Sequence, residues 1–413
     1  MSIEHFLIAL VAIFVAAKLF GLLAERVGQP AVLGEIVGGM LVGVSGLQLV
    51  DPHDVTIHLL SELGVILLLF LIGLETDLKR LLAVGGSATA VAVAGVALPF
   101  AGGVLAGHLL GFRFMVAVFL GASLTATSVG ITARVLSDLG HLKDDESQVI
   151  LGAAVVDDII GLVLLTMVGT LADGGALTFP GIVKTVVIAF GFVFLAILIG
   201  SKLAPYLIRA IERIELSRGI LFASIVFAFL LAWLAQRVGS AMIIGSFAAG
   251  LVLAQTRRRE QIEHEVHEIG QFFVPIFFIA VGAAIDMRTL NPFAADSRRY
   301  LFIGLLLTAI GVAGKVLAGF AAYRKGLKRS IIGVGMIPRG EVGLIFAQIG
   351  LTTRLLSGGL YSAVALMVML TTLITPPMLR LLLDRREREE LHGESDLVVD
   401  APMEDERRAR PRT

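Results

Sequence analysis

From residue 4 to about residue 383 the chain is a succession of apolar stretches, most of them near the roughly 18 to 20 residues that cross a bilayer. That pattern leaves few folds open, because a segment in lipid has to satisfy its backbone polar groups internally. A closed β-barrel would need short strands alternating apolar and polar residues, and these are absent from the sequence. The sequence therefore predicts an all-α polytopic membrane protein. Composition agrees: 16% of the 413 residues are charged, where a soluble chain carries about 25%. With no cysteine, the chain has no disulfides, thiolate metal sites or cysteine nucleophile.

About thirteen spans are expected, near 4–25, 31–49, 57–75, 87–110, 114–136, 147–171, 178–208, 218–237, 240–255, 267–285, 299–322, 329–351 and 358–383. The opening "MSIEHFLIALVAIFVAAKLFGLL" lacks a basic n-region and a small-residue cleavage site, so it reads as the first span. Loops after odd-numbered spans carry most of the Lys and Arg, including Arg26, Lys79, Arg80, Lys143, Arg257, Arg258, Arg259, Arg324 and Lys328. By the positive-inside rule those loops are cytoplasmic, which puts the N-terminus outside and the C-terminus inside a cell membrane. Residues 384–413 are charged and aperiodic, and are expected to form a disordered cytoplasmic tail. No cofactor and no nucleic acid partner is expected.

The chain also resembles itself at an offset of about 210 residues. "VLGEIVGGML" pairs with "IIGSFAAGLV", matching Gly34 with Gly245 and Gly39 with Gly250. "IGLETDLKRL" pairs with "VGAAIDMRTL", matching Gly73 with Gly282 and Asp77 with Asp286. "SVGITARVLSDLG" pairs with "PRGEVGLIFAQIG". The partners lie seven spans apart, and an odd spacing makes equivalent helices cross in opposite directions. That is an inverted-topology repeat, common in secondary transporters. The first repeat covers about 1–172 and the second about 218–383, with a linker helix near 178–208.

Against this scaffold one stretch stands out. "LGAAVVDDIIGLVLLTM" puts Asp157 and Asp158 inside an apolar span, whereas the paired span "AVALMVMLTTLITPP" has no acid. Each carboxylate at mid-membrane costs roughly 2.5 to 3.5 kcal/mol without compensation. Adjacent helical positions differ by about 100° in direction, so the two face different surroundings. Lys315, in "LLLTAIGVAGKVLAGFAAYR", is an available partner, with snorkelling toward Arg324 as its structural alternative. Two stretches read as broken helices: "LTATSVGITARV", with Thr125, Thr127, Ser128 and Gly130, and "GVGMIPRGEVGLIF", with Pro338. Arg339 and Glu341 beside the second break are positioned to balance half-helix ends. Glu35, Glu75 and Asp77 read as interfacial acids, and His141, His264 and His267 as solvated loop histidines.

These residues carry a resemblance to the monovalent cation:proton antiporter-2 family, in particular NapA-type sodium/proton antiporters. "QPAVLGEIVGGMLVG", "LLLFLIGLETDLKRL", "LTATSVGITARVL", "GAAVVDDIIGLV" and "MIPRGEVGLIFAQ" are all similar to that family's motifs, although Val44 stands where a proline is expected. The resemblance implies the sodium/proton antiporter fold, two inverted six-helix repeats with crossed discontinuous helices. It implies that Asp158 binds cation and proton alternately, that Asp157 pairs with Lys315, and that Thr127 and Ser128 lie beside the site. It further implies Na⁺ (or Li⁺ or K⁺) and H⁺ as substrates, electrogenic exchange and a homodimer in lipid. A Kef-type potassium/proton antiporter is the near alternative, and a cation channel the more distant one. An intramembrane aspartyl protease is disfavoured, because adjacent aspartates on one helix cannot face each other across a peptide.

Overall fold

The computed structural model describes residues 2–27, 29–52, 54–172, 179–212, 219–284, 295–340, 343, 346–347, 350–351 and 353–399. Among them the chain forms fourteen helices and no strand. In order these are α1 (Ile3–Arg26), α2 (Ala31–Val42), α3 (Val55–Glu75), α4 (Leu78–Leu109), α5 (Phe114–Ser123), α6 (Val129–Asp138) and α7 (Asp145–Ala172). Then come α8 (Phe179–Glu212), α9 (Gly219–Arg237), α10 (Met242–Leu253), α11 (Arg259–Ala283), α12 (Ala295–Gly319), α13 (Arg329–Gly335) and α14 (Gly358–Val399). Seven of them (α1, α3, α4, α9, α11, α12 and α14) are long and apolar enough to cross a membrane unaided.

Where helices begin, the local chemistry explains it. The Asp54 carboxylate accepts from the amides of Thr56 and Ile57 at the start of α3, and Asp77 accepts from Lys79 and Arg80 at the start of α4. Both are caps that use amides the helix itself cannot satisfy. Asp77 is thus a cap, and Glu35 lies one turn inside α2 and is buried, which departs from the interfacial reading of that acid. His264 and His267 lie on α11 rather than in a loop.

The helices divide into two groups. One contains α1–α3 and α9–α11; the other contains α4–α7 and α12–α14. The long α8 packs against α7, α9 and α10. Within the first group the repeat is visible as packing. A methyl on Gly39 of α2 would stand 2.9 Å from Gly282 Cα of α11, and one on Gly73 of α3 would stand 2.9 Å from Gly250 Cα of α10. Since Gly39 corresponds to Gly250 and Gly73 to Gly282, these two crossings are one contact made twice. Close backbone approach through small residues is how apolar helices associate where lipid offers no hydrophobic driving force. Asp286 and Arg288, matched to Asp77 and Lys79 in the sequence repeat, lie outside the described residues.

At the end of the chain, α14 continues past residue 383 to Val399, where a disordered tail was expected. Arg380 and Asp384 pair along the helix at 3.7 Å, and Arg386 bonds to Asp144 and Glu146 at 2.9 and 3.0 Å. Charges that look aperiodic in the sequence are here paired along the helix or with the α6–α7 connection. Residues 400–413 lie outside the described residues.

Candidate ion-binding site at the helix crossing

The site is built from the two places where a helix stops inside the second group. α5 ends at Ser123 and α6 begins at Val129, leaving 124–128 out of helical geometry. The Ser123 hydroxyl donates to Phe119 O and the Thr125 hydroxyl to Ala122 O, at 2.8 Å each. Hydroxyls that bond nearby carbonyls compete with the helical ladder and favour such a stop. In the second repeat α13 ends at Gly335, and 336–340 is likewise non-helical around Pro338, which has no amide to donate.

The two breaks satisfy each other. The Ser128 amide donates to Pro338 O at 2.8 Å, the Thr132 hydroxyl to Gly335 O at 2.7 Å, and the Thr127 hydroxyl to Met336 O at 3.3 Å. In return Arg339 Nη1 donates to Thr125 O and Ala126 O at 3.1 and 3.0 Å. Arg339 is fully buried. Its guanidinium sits where freed carbonyls gather, the place a cation is stabilised by the negative end of a half-helix. Thr372 of α14 completes the arrangement by donating to Arg339 O at 2.9 Å. Glu341, expected to share this balancing role, lies outside the described residues.

Beside the crossing, α7 carries the two aspartates. Asp157 accepts from Lys315 Nζ of α12 at 3.0 Å, and both side chains are 0% exposed. Lys315 therefore does not snorkel. Asp157 Oδ1 has no hydrogen-bond partner among the described residues, and neither do Arg339 Nε and Nη2. Arg339 acts on the charges of both Asp157 and Lys315. Asp158, one residue on, is half-buried and lines a slot with Leu69, Val129, Leu151, Val155, Ile243, Ile244 and Phe247. The slot holds about 10 Å³, room for one water-sized occupant. It lies between the two helix groups, with Leu69 of α3 and Phe247 of α10 facing Val129 of α6 and Asp158 of α7.

The structure thus brings Asp157, Lys315 and Arg339 together, with Thr127 and Ser128 buried in the first break and Asp158 opening on the seam. Asp157 is the one fully buried carboxylate of this group, beside the two buried cations Lys315 and Arg339, and Asp158 is half-buried one residue on. A fully sealed pair is stable only while both partners are present. Three contributors escaped the sequence reading. Thr132 bonds across the crossing and Thr372 bonds the second break from α14, and their signal was a hydroxyl on an otherwise apolar face. Gly95 of α4 leaves space for the ammonium: a methyl there would stand 3.2 Å from Lys315 Nζ.

Residues 9–385 match the family model described as sodium/hydrogen exchanger, transmembrane. The chain belongs to the sodium/hydrogen exchanger family. It is 42% identical to the high-affinity Na⁺/H⁺ antiporter NhaS3 of Synechocystis sp., over 93% of this chain and 91% of that one. It is 40% identical to the Na⁺/H⁺-K⁺ antiporter GerN of Bacillus cereus, over 91% of this chain and 96% of that one. The K⁺/H⁺ antiporter subunit KhtU of Bacillus subtilis is 29% identical, over 90% of this chain and 92% of that one. Among solved structures, the sodium proton antiporter MjNhaP1 of Methanocaldococcus jannaschii shares the fold, with a TM-score of 0.71 at 17% identity, over 91% of this chain and 95% of that one. Membership in this exchanger family makes the chain a multi-pass membrane protein of a transporter family.

Proposed function

We propose that this protein exchanges a monovalent cation, Na⁺ first, for protons across a cell membrane by alternating access. The observation that carries the reading is the sealed Asp157–Lys315 pair with Asp157 Oδ1 unpartnered, next to a half-buried Asp158 at the crossing of two broken helices. Asp158 is the carrier. Protonated, it is neutral and crosses with its slot closed. Ionised, it disfavours a second bare carboxylate beside it, and a hard cation bound between the two oxygens relieves that repulsion. Asp157 leaves Lys315 to complete the cation's coordination and returns to it when the proton is taken up. Thr127 and Ser128 supply further oxygens from the first break.

The moving body is the group α4–α7 with α12–α14, sliding against α1–α3 and α9–α11, which also carry the dimer contact in this reading. The chain crosses the bilayer about thirteen times with its N-terminus outside and its C-terminus in the cytoplasm. When Asp157 leaves Lys315 for the cation, the ammonium gives up a proton and regains it as the pair re-forms, so with the proton on Asp158 two protons move against one cation and exchange is electrogenic. The test is sodium-induced dequenching of an imposed pH gradient in proteoliposomes. Asp158→Asn is expected to abolish the signal, and wild-type activity in that variant would sink the assignment. Repeating the assay with Li⁺ and K⁺, with and without a clamped membrane potential, reads the substrate and the electrogenicity together. The names of GerN and KhtU make K⁺ the necessary comparison.

A further inference from the structure

Three helices of the first repeat start from the same extended backbone, yet only two carry a cap of their own. Asp54 precedes α3 with φ −64° and ψ 129°, and Asp77 precedes α4 with φ −87° and ψ 109°. Each carboxylate accepts from the amides two and three residues on. Pro30 precedes α2 with φ −57° and ψ 143°, but it makes no side-chain bond, and the first turn of α2 has no acid. Local chemistry therefore leaves the amide of Val32, the second residue of α2, without the partner that a capping residue would give it.

Asp138 supplies that partner from another helix. It is the last residue of α6, and its carboxylate accepts from the Val32 amide. Val32 stands two residues after Pro30, as Thr56 stands after Asp54 and Lys79 after Asp77, so the bond is the one a cap at residue 30 would make. The Asp138 side chain is 19% exposed, and Arg134 Nε lies 2.8 Å from its Oδ1. Glu35 of α2 and Glu25 of α1 also act on its charge and oppose it, which leaves the amide and Arg134 to hold it in place. The cap crosses from one helix group to the other. A methyl on Gly34 would collide with Phe20 O of α1, and one on Gly39 with Ile279 O of α11, so α2 is fixed within its own group. At its far end α6 is tied to the second break through Ser128 and Thr132. If the groups slide, α2 cannot follow α6, and the cap is lost.

We propose that Asp138 is a latch between the two helix groups, capping α2 only while α6 is docked as in this structure and so favouring that arrangement over any displaced one. The displacement rests on the alternating-access reading above; the cap itself does not. The chain has no cysteine, so spin labels can be placed at Val27→Cys, just after α1, and Leu82→Cys of α4, both exposed positions. Pulsed electron paramagnetic resonance in proteoliposomes then reads the ratio of docked to displaced distances. Asp138→Ala is expected to lower that ratio about fivefold, the factor a helix cap of ordinary strength supports. Pro30→Ser gives α2 a neutral cap of its own in both arrangements. It is expected to lower the ratio by a similar factor with Asp138 and Arg134 untouched, and the double variant should lower it no further. Hydrogen exchange at residues 31–33 should rise in Asp138→Ala and stay low in Pro30→Ser, which separates a latch from a general loss of stability. A ratio unchanged in Pro30→Ser, or additive effects in the double variant, overturns the latch. Should Asp138→Ala fail to fold, Pro30→Ser decides alone. A failure of the exchange reading shows separately, as cation transport indifferent to Asp158→Asn.

Discussion

The two broken helices differ in what they bring to the crossing, although the repeat makes them equivalent. The first break is held by hydroxyls, from Ser123, Thr125 and Thr127, and the helix that follows it, α7, carries Asp157 and Asp158. The second is held by a proline and a guanidinium, and α14 after it carries the buried Thr371, Thr372 and Thr375. Lys315 also belongs to the second repeat. One half therefore supplies the acids and the other the bases. In a medium of low dielectric the sealed Asp157–Lys315 pair neutralises one charge from each half. The Asp157–Lys315 bond is an interface between repeats and, in the exchange proposed above, also part of the chemistry.

If that division is right, breaking the bond from either side strands a charge. Lys315→Met is expected to lower unfolding stability by about 3 to 5 kcal/mol, read as a loss of thermal stability in detergent. Adding Asp157→Leu to it is expected to restore most of that loss. A double variant as unstable as the single one would show that the pair does not neutralise the halves. Next in size, Arg339→Met removes two charge-assisted bonds to the first break, at a cost of about 3 kcal/mol. Hydrogen exchange at residues 124–128 is expected to rise in that variant. Thr132→Val removes one neutral bond between the breaks, and should cost about 1 kcal/mol. A larger loss from Thr132 than from Arg339 would reverse the assignment of which half anchors the other.

Much of this was legible in the sequence because membrane insertion makes polar residues conspicuous. Asp157, Asp158, Lys315 and Arg339 stand in apolar runs, so their cost alone marked them, and Gly39, Gly73, Gly250 and Gly282 marked the repeat by spacing. Hydroxyls do not stand out in the same way. Thr132 and Thr372 are common in apolar helices, where they usually bond their own preceding turn as Thr371 does to Met367 O. Only the fold shows that Thr132 reaches across the crossing and that Thr372 reaches from α14 to the second break. His141 was misread for a related reason. Its ring lies 2.9 Å from Asp144 and 3.2 Å from Glu387, and that second partner arrives from a segment read as disordered. Glu35 was misread because a helix entry in sequence does not reveal which face turns inward.

The smallest effects are expected at this last contact, between α14 and the α6–α7 connection, far from the buried charges. Arg386 bridges Asp144 and Glu146, Lys328 bonds Glu389, and Arg324 lies 3.4 Å from Asp145. Most of these groups are partly exposed, so each pair contributes little and weakens with salt. The bond from Lys328 holds the Glu389 carboxyl below the usual glutamate range. A carboxylate whose pKa is lowered on folding contributes above its unfolded value and loses that contribution as pH falls through the folded one. Protease protection of residues 384–399 is therefore expected to be steady at neutral pH and to fall off only in acid. Arg386→Ala is expected to lower that protection while leaving transport by Asp158 intact. Transport lost together with protection would mean that the outer charges, like the inner ones, link the halves during exchange.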